Sequence, residues 1–426
     1  MSREWIVLVS AVALVAASSR LASAQDSPAS PRAEAAAADQ SSQKLNLGVW
    51  MGGGRDGRIN HMSSELPSLY EPDNSDGQIG IGASFSRLSK RVSLGGDLQS
   101  GLRIDSATQR AWSSDQRGSF DLALSLTRHL RVEARQLVKS ASLNPLVDVP
   151  RTAGNPALVG IGGLELPFAV RQALTSNTGT ILTYAFSQRS SIVVTNAFTY
   201  SQADVAGGAQ QSQSAGARFE RRVTRYQTLR LGYRLGSSTF DPTSSRYLKA
   251  HDIDVGIDYR RRLPFSSRTT VSGSFGPSMI SERNRQSFRM IADASLTQTL
   301  ARAWQARVDF NRSMGMIEGV TAPLFSTSIA GSVTGDFGRR NSLIATVGYF
   351  DGSVSLDQSN GTTVGSRTAA LRWRTALTRR VALNAETFYG RLRFGPQVTI
   401  LSGVPRDAGH LGVRAFVSYW RPVFRG

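Results

Sequence analysis

The 426-residue chain contains no cysteine and only four histidines. Without cysteine there is no disulfide scaffold, no Cys-based zinc site and no thiol catalysis. His61, His129, His251 and His410 lie far apart and show no metal-ligand spacing. No G-x-S-x-G stands out. Gly52-Gly53-Gly54 and Gly160-x-Gly162-Gly163 read as turn or bulge glycines rather than phosphate cradles. Neither an enzymatic activity nor a cofactor is indicated. Apolar stripes of helical period are essentially absent, and beyond the N-terminus no run of about 18 apolar residues occurs, which excludes a transmembrane helix there.

What the chain has in excess is positive charge: 50 Lys and Arg against 31 Asp and Glu, a net +19. Such basicity can mark nucleic-acid binding. Here no lysine-rich tail or recognised binding motif accompanies it, and the arginines are spread along the whole chain, so no nucleic-acid partner is expected. Forty glycines and abundant Ser and Thr suit a sheet-rich protein.

Residues 1–24 read as a secretory signal peptide: Arg3 gives the positive start, Trp5–Ala17 the apolar core, and Ala22-Ser23-Ala24 an A-x-A cleavage site. An N-terminal membrane anchor is the competing reading. Gln25–Gln43, rich in Ala, Ser and Pro, reads as a flexible periplasmic lead-in.

From Lys44 onward the apolar residues alternate. The unit is clear in the hairpin from Arg367 to Phe394. Ala369, Leu371, Trp373 and Leu377 share one face of the first arm, and Arg372 and Arg374 the other. Val381, Leu383, Ala385 and Tyr389 oppose Asn384 and Glu386 in the second arm. Successive side chains of a strand point to opposite faces, so each arm has one apolar and one polar side. The pattern recurs in Leu229/Leu231/Tyr233/Leu235, Ile253/Val255/Ile257/Tyr259 and Leu411/Val413/Ala415/Val417/Tyr419. Arms of about a dozen residues are long for soluble strands but suit tilted strands crossing a bilayer, which need about 9–11.

The connections alternate too. After even-numbered strands the turn is tight, as near Ser89-Lys90, His129, Arg189, Arg225, Leu263–Ser267, Arg302, Gly338–Arg340 and Arg379-Arg380; after odd-numbered strands it is longer. Short periplasmic turns and longer extracellular loops are the habit of outer-membrane barrels. An open sheet leaves backbone groups unpaired in hydrocarbon at several kcal/mol each, so closure follows. The expected fold over residues 44–426 is all-β: a transmembrane antiparallel up-and-down β-barrel of about 18 strands (about 16–20), too wide for its own side chains to fill.

By parity the polar faces point into the lumen and carry both signs of charge. The densest group lies on three consecutive strands: Arg218-x-Glu220-x-Arg222, then Arg230-x-x-x-Arg234, then Asp252-x-Asp254-x-x-x-Asp258; Arg372 and Arg374 add to it further on. Two readings stand side by side: a transverse field that orients solutes in a pore, or cross-strand salt bridges that stiffen the wall. Inward Phe350, Phe388 and Phe416 are the only hints of an aromatic lane. Other aromatics, among them Trp50, Tyr184, Trp304, Trp373, Tyr419 and Trp420, suit interfacial girdles. Arg and Lys crowd the tight turns (Lys90, Arg91, Arg128, Arg189, Arg225, Arg339, Arg340, Arg379, Arg380), where they meet anionic lipid headgroups or simply keep the turns soluble.

The connection 141–177 is the longest and least polar, with Pro145, Pro150, Pro156 and Pro167. It falls where general porins place an inward-folded constriction loop, and here the chain resembles them. On that reading Asp148, Arg151, Glu165 and Arg171 approach the narrowest point; an extra hairpin at 158–176 is the alternative. The last strand with Tyr419 near its end partly matches the outer-membrane assembly signal, although the chain continues through Arg421–Gly426. Across nearly the whole mature chain the architecture is similar to outer-membrane porins of this length, some of which accompany exopolysaccharide export operons. The resemblance implies an outer-membrane location, contact with outer-membrane lipids and the barrel assembly machinery, and a homotrimer as one oligomeric state. It implies passive diffusion of small hydrophilic solutes, with polysaccharide export or anchoring, or a structural barrel with a charge-filled lumen, as alternatives.

Overall fold

The computed structural model describes residues 42–58, 71–105, 112–142, 172–203, 209–239, 247–259, 269–282, 285–301, 303–315, 324–353, 363–396 and 406–425. They form eighteen strands: β1 (Ser42–Arg58), β2 (Glu71–Leu88), β3 (Val92–Asp105), β4 (Trp112–Ser125), β5 (Leu130–Ser142), β6 (Gln172–Ala185), β7 (Ser190–Ala203), β8 (Gln210–Arg222), β9 (Gln227–Thr239), β10 (Tyr247–Tyr259), β11 (Thr269–Glu282), β12 (Arg285–Ala301), β13 (Trp304–Gly315), β14 (Leu324–Phe337), β15 (Asn341–Ser353), β16 (Thr363–Ala376), β17 (Val381–Phe394) and β18 (Asp407–Arg425). Each strand pairs antiparallel with its sequence neighbours, and β1 pairs with β18 from Lys44↔Arg425 to Arg58↔His410. The result is a closed up-and-down barrel with no free edge.

Closure puts the apolar faces outside. Leu47, Val49 and Met51 on β1, Leu229, Leu231 and Leu235 on β9, and Val347 on β15 are all exposed, Val347 to 61%. An apolar belt running around the whole circumference has no stable place in water, and the matching strand length fits a hydrocarbon core. The fold is that of a transmembrane β-barrel.

The tight turns share one design. Leu126-Thr127-Arg128-His129, Phe186-Ser187-Gln188-Arg189, Val223-Thr224-Arg225-Tyr226 and Leu377-Thr378-Arg379-Arg380 each begin with an outward, exposed apolar residue. A hydroxyl then closes the turn. Thr127 Oγ1 accepts from the N–H groups of His129 (3.1 Å) and Leu130 (3.0 Å), and Thr378 Oγ1 from those of Arg380 (3.1 Å) and Val381 (3.0 Å). Thr224 repeats the pattern with Tyr226 and Gln227. This is the local side-chain-to-backbone bonding that makes Ser and Thr good turn residues. In Phe337-Gly338-Arg339-Arg340 a glycine at φ 72° takes the hydroxyl's position.

Several sequence expectations change here. β1 begins at Ser42, inside the segment read as lead-in, and β6 begins at Gln172, well before the expected 178. The signal-peptide reading and most of the lead-in lie outside the described residues. The short-turn rule fails around β11. Nine residues, 260–268, join β10 to β11 at the short-turn end, while only 283 and 284 separate β11 from β12 at the other. The strict apolar-out rule also fails at the long-loop end of β10–β17. There Leu248, Ile280, Leu324, Phe350, Val364 and Leu392 face inward and are at most 2% exposed. Leu248 and Ile280 pack with Met314 and Phe325 into an apolar cluster.

Two tryptophans expected in the girdles face the lumen instead, at the seam where the chain's first and last strands meet. Trp50 lies flat over Gly80 of β2 and Gly101 of β3, and meets Phe416 of β18 edge-to-face at 6.3 Å. Trp420 covers Gly48 across the closing ladder. Bare glycine backbone accepts a large ring where any side chain would block it. A Cβ on Gly80 would stand 2.3 Å from the Trp50 ring, whereas one on Gly179 of β6 would meet nothing within 4 Å. Gly80→Val is therefore expected to cost about 1–3 kcal/mol by overpacking and to lower the temperature at which the folded band shifts on a denaturing gel. Gly179→Ala is expected to leave that temperature unchanged.

Candidate functional site

The lumen contains a cavity of about 1130 Å³, bounded by the inner faces of β1–β13. Gly95, Gly179 and Gly216 line it as bare backbone, while Gly232 and Gly256 on the inner faces of β9 and β10 are covered by Asp254 and Arg230. The opposite wall is filled by large groups. Phe388 and Phe350 are 1% and 2% exposed, and the Arg414 guanidinium stacks over Phe388 at 4.6 Å. The register sets Glu386 between Arg372 and Arg414, and Arg372 bonds it at 3.2 Å.

All ten residues of the predicted charge group face inward, but they do not act alike. Arg230 is part of the wall. Its side chain is 12% exposed, pairs with Asp258 at 3.2 Å, crosses Gly256 of β10 and donates to the Gly273 carbonyl of β11 at 3.1 Å. One guanidinium thus ties three strands together, and the glycine it crosses is what lets it reach. Arg234 differs. It bonds Asp252 through Nε (2.9 Å) and Nη2 (2.5 Å), but its side chain remains 47% exposed to the cavity. Arg218 folds back onto Glu220 of its own strand at 2.7 Å and also lines the cavity. Asp254 lines it over Gly232 and has no ion-pair partner among the described residues. Arg222 is exposed at the short-turn end of β8, and Arg374, opposite Asn384, does not reach the cavity. Asp148, Arg151, Glu165 and Arg171 lie outside the described residues.

The two readings of the charges therefore divide by residue. Arg230 and Asp258 are wall staples, whereas Arg218, Arg234 and Asp254 present charge to the open space and Asp252, 6% exposed, holds Arg234 from the wall. Sequence reasoning missed Asp293 of β12, which accepts a hydrogen bond from Ser274 and lines the cavity. Its parity is inward, but the run Met290-Ile291-Ala292 just before it hides the alternation. The cations on the cavity wall are Lys44, Arg135, Arg218, Arg234 and Arg312. Its anions are Asp97, Asp121, Glu133, Asp252, Asp254 and Asp293. Charges of opposite sign nearly cancel, so the +19 of the chain is not in the lumen.

No family model and no curated protein matches this sequence. Among solved structures the chain is similar to Pseudomonas aeruginosa OccK7 (OpdD), at 12% identity over 90% of this chain and 100% of that one, with a TM-score of 0.47. It is also similar to P. aeruginosa OpdQ (10% identity, 90% and 99% covered, TM-score 0.46) and to Acinetobacter baumannii OccAB3 (9%, 90% and 99%, 0.44).

Arg230→Ser removes one partner of a largely buried pair. It is expected to cost about 3 kcal/mol and lower the unfolding temperature, with single-channel conductance little changed. Arg234→Ser leaves the Asp252 carboxylate, 6% exposed, without its partner, and is expected to cost about 1–3 kcal/mol. Its reversal potential in a salt gradient is expected to move toward cation preference.

Proposed function

We propose that the protein is an outer-membrane channel for passive diffusion of small hydrophilic solutes. The observation that carries this is the open cavity of about 1130 Å³, set with charged side chains of both signs, inside a closed, lipid-faced wall. A cavity of this size, lined by carboxylates, guanidiniums, hydroxyls and bare glycine backbone, gives a hydrated solute many weak partners. Weak partners along a path favour entry without trapping. The inward phenylalanines do not offer an open lane for sugar rings, because Phe350 and Phe388 are almost fully buried. That weighs against polysaccharide export as the reading.

The test is single-channel recording of the refolded mature protein in a planar bilayer under a salt gradient. Stepwise openings with a reversal potential close to zero, slightly on the cation side, are expected. Asp254→Asn is expected to shift the reversal potential toward anions, since its carboxylate has no ion-pair partner among the described residues. Electrical silence from folded protein, or strong anion selectivity set by the overall +19, would sink this reading.

A further inference from the structure

The charge that the lumen does not hold is concentrated elsewhere. The eight connections at the short-turn end contain 14 Lys and Arg and no Asp or Glu, while the nine at the other end contain 6 and 7. Each of the six described short turns carries at least one cation, and 338–340 and 377–380 carry two arginines apiece. Mere solubility of turns does not predict this one-sidedness, because acidic residues serve solubility as well and the opposite end uses both signs.

The local geometry adds direction. In each tetrad an outward apolar residue, such as Leu126 (54% exposed), Phe186 (47%) or Leu377 (52%), continues the lipid-facing row. The cations follow two or three residues later, with the turn between them held by hydroxyl and backbone bonds. The outward row adds Arg221 and Arg421, each two residues beyond an exposed aromatic, Phe219 and Tyr419. Apolar side chains at the edge of the acyl layer, with guanidiniums immediately beyond, match a surface of anionic headgroups.

From this geometry we infer that the short-turn rim is a docking surface for anionic phospholipid, and that it collects phosphatidylglycerol-type lipids in the leaflet it faces. Headgroup phosphates lie against the arginine turns while the acyl chains cover the apolar residue that opens each tetrad. A cation near an anionic surface strengthens association roughly fivefold, so several turns acting together enrich the lipid shell measurably. Because the lumen is nearly neutral, this enrichment is independent of conduction.

Two outward tryptophans report on the rim. Trp304 covers Gly335 of β14, and Trp373 faces Leu343 of β15; the turn 338–340 lies between these strands. The full-length mature barrel is reconstituted in mixed bilayers in which either phosphatidylglycerol or phosphatidylethanolamine carries brominated chains at matched mole fraction. Stronger tryptophan quenching by the brominated phosphatidylglycerol, lost at high salt, is expected. In the variant R339S/R340S/R379S/R380S the preference falls to that of the neutral lipid, while single-channel conductance stays as in the unsubstituted protein. Equal quenching by both lipids in the unsubstituted protein overturns the inference and leaves the rim to a soluble polyanion. A preference that survives in the variant overturns it as well, since the cations would not be its source.

Discussion

Everything in this molecule depends on one constraint: in hydrocarbon, no backbone N–H or C=O can be left without a partner. The closing ladder between β1 and β18 satisfies it. The apolar faces then have to look outward, because the closed sheet leaves only an inside and an outside. The inner face inherits the polar residues, and with them whatever chemistry the protein has. The seam meets a second demand, since β1 is too rich in glycine to pack by itself. Trp420 and Phe416 of β18 cover Gly48 and Gly52 of β1 from within, while Trp50 of β1 covers Gly80 and Gly101 of the next two strands.

The charged lumen is best seen as two populations. One is structural, with Arg230 crossing a glycine to reach a third strand. The other, centred on Arg234 and Asp254, stands in the open space. The distinction is not chemical, for both arginines have a carboxylate partner. It is set by reach: Arg230 lies along the wall across Gly256 to the Gly273 carbonyl, whereas Arg234, with Gly216 opposite it on β8, stops at Asp252 and leaves its own side chain in the cavity.

Much of the architecture was legible in the sequence. Period-two alternation pointed to about eighteen strands in up-and-down order, because lipid outside and water inside enforce that period at mid-height. The signal fades where that enforcement ends. At the long-loop end Leu248, Ile280 and Val364 turn inward, since side chains there need not face acyl chains. Asp293 was hidden by three apolar neighbours in a row. Trp50 was misread because an aromatic near a strand end looks like a girdle residue unless the glycines across two neighbouring strands are counted, and that pairing requires the register. The partition of the arginines into wall and lumen could not be read either, for it depends on which carboxylate and carbonyl each guanidinium reaches across the register.

Closing the barrel through the first and last strands has a consequence for its biogenesis. Residues at the two extremes of the sequence, such as Trp50 and Ser418, are direct neighbours in the ladder. No intermediate lacking β18 can therefore be sealed. A growing sheet carries two open edges until its final step, and one of them is the glycine-rich β1, which is weakly held until Phe416 and Trp420 arrive. Such edges invite pairing with other chains, and contacts this distant in sequence form slowly. The protein must be shielded as an incomplete sheet and completed in one late event, so damage to the last strand is expected to be far more disruptive to assembly than equal damage to a strand in the middle.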